Sequence, residues 1–395
     1  MRHNFEDYDN ISILTHADMD GDASYANMIW AIKKSTDKPI SVSKTSLHHI
    51  HSGSDSSDDS KFRDAISKDG KNLIIVLDYA FNGNTEYLFE EIYKATEGGK
   101  HLLWIDHHDS SIKFVEEYCD IDYPNGDFSS AAMANPHNHY LMDADHILVC
   151  KAGSAAYLTW AYNNSDKFSG LVAGTNCYDM YGMAKQTGLV PDHIKYVSDY
   201  DTWQYKYTIT MYFKYAYDMA PDKDLFFFKY EETEYDSPKY YESMFSDIEA
   251  GKAISSYVDS QNAATLKSHG YESYIPNHII YGKAEDEYEC TAIYVINHYG
   301  NSTVFGEKYH EYPYVVIWYF TGELYKHSIY SDIEKFTDTD CEAIASKFGG
   351  GGHRGAAGWT SRSLMFAEKR FFPPIGRIPK HYDKGYRSVV TSDIS

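Results

Sequence analysis

Two short apolar runs, each ending in an acidic residue, most constrain how this chain can fold. Leu73 to Leu77 (LIIVL) leads into Asp78, and Leu102 to Ile105 (LLWI) leads into Asp106, with a helical pattern from Thr85 to Thr96 between them. Short apolar strands that alternate with helices are typical of a parallel sheet whose strands are joined by crossover helices. The sequence therefore predicts an α/β fold with flanking helices on an open parallel sheet.

A third run of this kind lies near the start of the chain. Ile11 to Thr15 predicts a buried strand, His16 to Asp22 (HADMDGD) a polar turn, and Ala23 to Lys34 a helix. In open parallel sheets, ligands bind beyond the carboxyl ends of the strands. We therefore expect the acidic clusters to converge in one crevice.

The polar turn after this strand carries His16, Asp20 and Asp22, so that one imidazole and two carboxylates can face one small volume. Hard oxygen ligands with one or two imidazoles suit Mn²⁺ or Mg²⁺. Alone the motif is weak, since aspartate often only forms a turn or caps a helix. It recurs, however, and so many ionisable groups would repel one another unless cations neutralised them. The other clusters are Asp78, Asp106-His107-His108, and the pair Asp199 and Asp201.

The formal net charge of −22 on 395 residues argues against a protein that coats long nucleic acid, which requires many Lys and Arg side chains. Any phosphate-bearing substrate is therefore expected to be small. No apolar stretch is long enough to cross a membrane, and the first residues lack the pattern of a signal peptide. We expect a soluble cytoplasmic protein without membrane partners. The five cysteines are scattered without a C-x-x-C pair, and we assign them no role.

The length favours two lobes and a connecting segment. Residues 1–220 form the predicted parallel-sheet domain, and residues 221–275 a linker region with a connecting helix from Asp247 to His269. Residues 276–362 are expected to form a smaller mixed α/β domain, with strands at Thr291 to Ile296 and at Tyr314 to Phe320. Residues 363–395 are a basic tail, against the acidic composition of the rest.

Five segments together resemble the signature motifs of the DHH phosphoesterases. Four of them, HADMDGD, LDYAF, IDHHDS and YVSDYDTW, follow the family's order, and Phe348 to Gly358 (FGGGGHRGAAG) resembles the glycine-rich signature of the type 1 DHH-associated domain. Members with this pair of domains include the nano-RNases (oligoribonucleases) and the cyclic-dinucleotide phosphodiesterases. Because the motifs extend from His16 to Gly358 in a fixed order, they are much more specific together than singly.

The resemblance implies a centre of two divalent ions, Mn²⁺ or Mg²⁺, bridged by Asp78. Such a centre lowers the pKa of a water molecule and holds the phosphate for in-line attack. Asp18 would lie behind the ligands. The resemblance implies His16 and Asp20 as further ligands of one ion, Asp22, His107 and Asp199 (or Asp201) as those of the other, and Asp78, Asp106, His107 and His108 as the catalytic residues.

The glycine-rich segment is expected to bind the substrate. A glycine run lets backbone N–H groups approach an anion. Many relatives carry an arginine in a Ser-x-Arg-Ser segment ahead of the run, whereas this chain has Tyr330, which can stack on a base but cannot supply a bidentate charge. The expected binding residues are Gly350, Gly351, Gly352, His353, Arg354 and Tyr330.

The sequence thus predicts a phosphodiesterase that hydrolyses short oligonucleotides, dinucleotides or cyclic dinucleotides to mononucleotides. The alternatives are a manganese-dependent pyrophosphatase or polyphosphatase and a non-catalytic nucleotide-binding sponge. The sequence is also compatible with a homodimer. It leaves open the ion, the cleavage polarity, RNA against DNA, and the choice between Asp199 and Asp201.

Overall fold

The computed structural model describes residues 3–47, 57–81, 85–119, 146–165, 188–275, 290–296 and 301–362. The basic tail predicted for residues 363–395 lies outside the described residues. The chain divides into two compact units, Met1–Ser256 and Tyr257–Ser395. This division falls inside the predicted linker region 221–275. No helix in the described ranges is long and apolar enough to cross a membrane.

The first unit is built on a five-stranded sheet in which all neighbouring strands are parallel. Its order is β2-β1-β3-β4-β5, which confirms the predicted parallel α/β fold. The second strand gave no apolar signal because only its last residue, Leu47, is buried. The strands are β1 (Asn10–His16), β2 (Ser41–Leu47), β3 (Asn72–Leu77), β4 (His101–Asp106) and β5 (His146–Val149).

Helices cover both faces of this sheet. Side chains alternate along a strand, so Ile75 packs in one core cluster with α1 and α5 residues, and Ile74 packs in the other with α2, α3 and α4 residues. All six residues of β3 are buried, as expected for a central parallel strand. The helices of this part are α1 (Met19–Ser35), α2 (Ser57–Ser67), α3 (Glu86–Glu97), α4 (Asp109–Cys119), α5 (Ala155–Asn163), α6 (Asp192–Asp201), α7 (Thr210–Met219) and α8 (Lys223–Glu231).

A long helix, α9 (Pro238–His269), contains the connecting helix that the sequence predicts. It packs against α7 at Gly251, where a Cβ atom would lie 1.7 Å from the carbonyl oxygen of Tyr212. This backbone contact leaves no room for any larger residue.

The second unit contains a six-stranded sheet in the order β10-β11-β9-β8-β7-β6. β7 and β8 are parallel, and the other neighbouring pairs are antiparallel. One helix, α10 (Cys341–Ser346), packs on one face, and the 3₁₀ helix Ser302–His310 packs on the other. The mixed α/β prediction is confirmed. The strands are β6 (Gly270–Ile275), β7 (Cys290–Ile296), β8 (Tyr314–Phe320), β9 (Tyr325–Tyr330), β10 (Gly351–His353) and β11 (Ala356–Ser361).

Candidate metal centre

Three neighbouring strands of the first unit end in ionisable residues at the same level. Thr15 pairs with Leu77, and Leu77 pairs with Ile105, so the residues that follow them, His16, Asp78 and Asp106, lie side by side. β2 lies on the outer side of β1, whereas β4 and β5 lie on the outer side of β3, so the strand order reverses between β1 and β3. This change of direction opens a crevice at the carboxyl edge of the sheet. The acidic clusters converge there, as the strand pattern predicts.

Histidine and aspartate atoms gather in this crevice in three overlapping groups, each with its atoms within 4.8 Å of one another. Asp78 belongs to two of them, so its carboxylate lies between the groups. Oxygen and imidazole ligands in such sets fit Mn²⁺ or Mg²⁺. The groups are His16, Asp18 and Asp78; Asp20, His107 and Asp201; and Asp78, Asp106, His107 and His108.

Asp78 is the most constrained member. Its side chain is 1% exposed, and neither carboxylate oxygen has a hydrogen-bond partner among the described residues. Its φ angle is 54°, in the left-handed region that aspartate tolerates better than most residues. A buried ionised carboxylate without donors is very costly unless a cation neutralises it. Asp78 therefore fits the position of a bridging metal ligand.

His107 and Asp201 approach each other as two ligands of one ion would. Nε2 of His107 lies 3.0 Å from Oδ2 of Asp201, yet neither atom makes a hydrogen bond within the described ranges. Oδ1 of Asp78 is 3.5 Å from the same nitrogen. In an octahedral site with bonds of about 2.1 Å, adjacent ligand atoms are separated by about 3 Å and opposite ones by about 4 Å. Both distances from the His107 nitrogen lie within the range expected for two ligands of one ion.

The start of α1 places two carboxylates in the crevice. Asp18 caps the helix through Oδ1, which accepts from the Gly21 N–H at 2.9 Å, while Oδ2 lies 2.9 Å from Nδ1 of His16. α1 begins at Met19 and not at the predicted Ala23, because this cap starts the helix earlier. Gly21 allows the close approach, since a Cβ atom there would lie 2.1 Å from the carbonyl oxygen of His16.

Asp20 also holds the start of α5. Its two oxygens accept from the N–H groups of Ala155 and Ala156 at 2.7 and 2.9 Å, and Oδ2 lies 3.8 Å from Nε2 of His107. The first N–H groups of a helix have no partner within the helix, and an anion satisfies them. The candidate ligand Asp20 is therefore fixed by the fold.

Asp106 orients His108. Nδ1 of His108 lies 2.8 Å from Oδ1 of Asp106, whose other oxygen accepts a hydrogen bond from the Ser111 hydroxyl. Burial lowers the pKa of His108, but the charge of Asp106 outweighs it and raises that pKa above its ordinary value. The pair favours a positively charged imidazole next to Asp78.

The crevice favours protonated groups when cations do not neutralise it. Burial lowers the pKa of His16, but Asp18 and Asp78 outweigh it and raise the pKa to about 11. Burial likewise lowers the pKa of His107, while the charges of Asp201, Asp78 and Asp20 raise it well above the ordinary value. Burial raises the pKa of Asp20 and of Asp78, and neighbouring carboxylates raise both further.

We expect Mn²⁺ binding to release protons, on the order of one per ion, because ligands bind in their deprotonated forms. The raised pKa of His16 and of His107 means that both carry protons near neutral pH, so the apparent affinity for Mn²⁺ should strengthen as pH rises. Calorimetric titrations in two buffers with different ionisation enthalpies measure this release. Identical heats in both buffers would contradict it.

The structure does not bring two of the predicted ligands, Asp22 and Asp199, into the crevice. Each lies two residues from a group member on the same helix, and helical positions i and i+2 are rotated by roughly 200°. Asp22 accepts from Lys44 at 2.9 Å and from the Tyr217 hydroxyl at 2.7 Å. Asp18, which the sequence placed behind the ligands, lies with His16 where Asp20 was predicted, and Asp20 lies with His107 where Asp22 was predicted.

Asp199 organises the chain after α6. Its carboxylate accepts from the N–H groups of Lys206 and Tyr207 at 2.8 and 3.2 Å and from the Thr210 hydroxyl at 2.5 Å. It is 4% exposed. Of the two alternatives that the sequence left open, Asp201 is the one that lies with His107.

The predicted substrate-binding residues lie in the second unit. Gly350 could carry no side chain, because a Cβ atom would lie 2.1 Å from the carbonyl oxygen of Gly358, and Gly352 has a φ of 148°. A Cβ atom at Gly351 would meet nothing within 4 Å, and β10, which contains Gly351, is an edge strand of the sheet. His353 ends β10 and is partly exposed.

Two further predicted binding residues have contacts within the second unit. Arg354 donates through Nε to the carbonyl oxygen of Thr339 at 3.1 Å and through Nη2 to that of Thr337. Tyr330 ends β9 and packs against the core cluster that contains Val315. These contacts give Arg354 and Tyr330 structural roles.

Comparison with known proteins finds remote structural similarities. No protein-family model and no curated protein sequence matches the chain. Among solved structures, an uncharacterized protein from Helicobacter pylori G27 is 13% identical, with a TM-score of 0.32 over 90% of this chain and 94% of that one. RecJ in complex with Mn²⁺ from Thermus thermophilus is 12% identical, with a TM-score of 0.42 over 90% and 50%. CDC45 from Entamoeba histolytica is 8% identical, with a TM-score of 0.42 over 89% and 92%.

Proposed function

We propose that this chain is a metal-dependent phosphoesterase of the DHH type, which hydrolyses short oligonucleotides or dinucleotides. The observation that carries the proposal is Asp78, a buried carboxylate without hydrogen-bond donors among the described residues, placed between two sets of candidate ligands. The ligand set we propose for one divalent ion is His16, Asp18 and Asp78, and that for the second is Asp20, His107, Asp201 and Asp78.

When bound, two such ions would act as Lewis acids on a phosphoryl group and on an attacking water. The protein's contribution is to fix the ligands and the charges around them. Asp106 orients His108, and a protonated imidazole beside a phosphate oxygen stabilises the negative charge that develops during attack. His108 is therefore proposed to contact the substrate.

Two features support a short nucleotide as substrate. The net charge of −22 opposes binding along a long polyanion. The glycine run, which has open space around Gly351 at the edge of the sheet, has room for one phosphate or one terminal group. With Arg354 engaged by backbone carbonyl groups, we assign anion binding chiefly to this edge.

Product analysis with Mn²⁺, and then with a chelator, tests the proposal. The panel contains a 5′-labelled dinucleotide, a five-nucleotide RNA, a long single strand, a cyclic dinucleotide and pyrophosphate. Metal-dependent release of mononucleotides from the shortest substrates is the expected result. Exclusive hydrolysis of pyrophosphate would replace the proposal with a pyrophosphatase, and tight binding without product would replace it with a nucleotide-binding sponge.

The choice of ligand is tested by a matched pair of variants. Asp201→Asn should lower kcat/KM by about 100-fold or more and weaken Mn²⁺ binding, because it removes a charged ligand next to His107. Asp199→Asn should leave Mn²⁺ stoichiometry unchanged and lower the Tm, because it weakens the bonds to Lys206 and Tyr207. The reverse pattern would make Asp199 the ligand.

A further inference from the structure

The turn that follows Asp201 contains a backbone conformation that its sequence does not favour. Trp203 and Tyr205 have φ angles of 57° and 47°, in the left-handed region where glycine is the usual residue. Bulky residues stay in this region only where the surroundings hold them there. We call residues 202–208 the aromatic turn.

Asp199 holds the aromatic turn in place. Its carbonyl oxygen accepts from the N–H of Gln204 at 3.0 Å and from that of Tyr205 at 3.4 Å, and its carboxylate accepts from the next two N–H groups, those of Lys206 and Tyr207. Four consecutive N–H groups thus bond to one residue. A turn with this role alone could use glycine at position 205 and avoid the unfavourable φ.

The side chains of the aromatic turn are displayed on the surface. Tyr205 is 40% exposed and Tyr207 46% exposed, and the intervening Lys206 is exposed as well. The rings of Tyr200 and Trp203 stand nearly perpendicular to that of Tyr205, at centroid distances of 6.1 and 5.9 Å. Exposed aromatic residues flanking a cation are typical of surfaces that bind single-stranded nucleic acid through base stacking.

The aromatic turn directly follows the candidate metal ligand Asp201 in the chain. Tyr205 is four positions after the candidate ligand Asp201 in the chain, so their Cα atoms are at most about 14 Å apart. The N–H bonds to Asp199 fold the segment back and shorten this distance. No more than this distance separates the backbone of Tyr205 from that of the candidate metal ligand.

We propose that Tyr205 is a specificity residue that stacks on a nucleobase next to the scissile phosphate, with Lys206 beside a neighbouring phosphate. This inference rests on the proposed function and extends it, because stacking on Tyr205 would select substrates that carry a base at that position. A turn with glycine at position 205 would have a relaxed backbone but no ring. The unfavourable φ is therefore explained by a function of the Tyr205 ring.

Tyr205→Gly tests this inference, because glycine relieves the unfavourable φ while it removes the ring. We expect the Tm to stay the same or rise, and KM for a dinucleotide to rise about 10-fold, with no change for the matched dinucleotide that lacks one base. Tyr205→Phe should restore the KM. The control is Tyr257→Ala, which removes a tyrosine that is 66% exposed on α9.

Equilibrium binding of a non-cleavable, phosphonate-linked dinucleotide separates this inference from the proposed function. Wild-type binding that Tyr205→Gly weakens, without any turnover of natural dinucleotides, would support stacking and overturn the hydrolase. Equal binding and equal KM in the wild type and in Tyr205→Gly would overturn stacking. Equal losses on the dinucleotide with and without the base would also overturn it, as would a wild type that binds neither.

Discussion

Asp78→Asn should lower metal-dependent kcat/KM by at least about 10³-fold, which is the largest effect on activity that we expect from one substitution. The change removes the charge that lies between the two ligand groups. Asparagine also tolerates a φ of 54°, so the backbone should keep its conformation. Activity on the dinucleotide and Mn²⁺ stoichiometry by calorimetry measure the effect.

Substitution of Asp78 by asparagine separates a loss of catalysis from a loss of stability. Asp78→Ala would add strain at this φ of about 1 kcal/mol, which would confound a loss of activity with a loss of stability. For Asp78→Asn we expect a Tm in the absence of metal that is no lower than that of the wild type, because one buried negative charge disappears. Wild-type turnover by Asp78→Asn would contradict the bimetallic centre.

Gly21→Ala should lower kcat/KM by about 100-fold, because it displaces neighbouring metal ligands. The added Cβ atom would lie 2.1 Å from the carbonyl oxygen of His16, so the start of α1 must move by about 1 Å to restore a normal contact. Asp18 and Asp20 lie on this segment and would move with it. Steady-state kinetics and Mn²⁺ titrations measure the result.

Gly251→Ala is the matched control for Gly21→Ala. It introduces a similar clash, with the carbonyl oxygen of Tyr212 between α7 and α9, and should also lower the free energy of unfolding by about 1–3 kcal/mol. Its Mn²⁺ affinity and its activity per folded molecule should stay near wild type. Equal activity losses in both variants would mean that destabilisation alone accounts for the effect at Gly21.

Much of the first unit could be predicted because its central strands are buried on both faces. Such strands carry continuous apolar runs, and the acidic residue after each run marks the carboxyl edge. By contrast, β2 has little buried surface and left no periodic signal. The sequence therefore predicts β1, β3 and β4, which are almost entirely buried, but not β2 or β5.

The ligand assignments were harder to predict because aspartates occupy every second position in the HADMDGD segment and in the YVSDYDTW segment. In Asp18, Asp20 and Asp22, spacing alone does not say which pair faces the metal. The answer depends on where α1 begins, since residues two apart on a helix point in different directions. Aspartate is a preferred N-cap residue, so Asp18 itself was the available signal for the cap.

The second unit shows a different limit. The glycine run was recognisable as a motif, and the backbone contacts explain why Gly350 and Gly352 carry no side chains. The side-chain contacts of Arg354 and Tyr330 depend on residues distant in the sequence, such as Thr339 and Val315. No local pattern encodes such contacts.

Asp20 serves both the metal centre and the architecture of the first unit. This double role determines which residues of the site would be lost first if activity were no longer under selection. In a lineage that no longer hydrolyses its substrate, selection on stability alone would retain Asp20, because α5 begins at its carboxylate. His107 and Asp201 make no comparable hydrogen bonds to the backbone in the described ranges and would drift first. Loss of His107 would therefore diagnose an inactive descendant, whereas persistence of Asp20 would indicate nothing about activity.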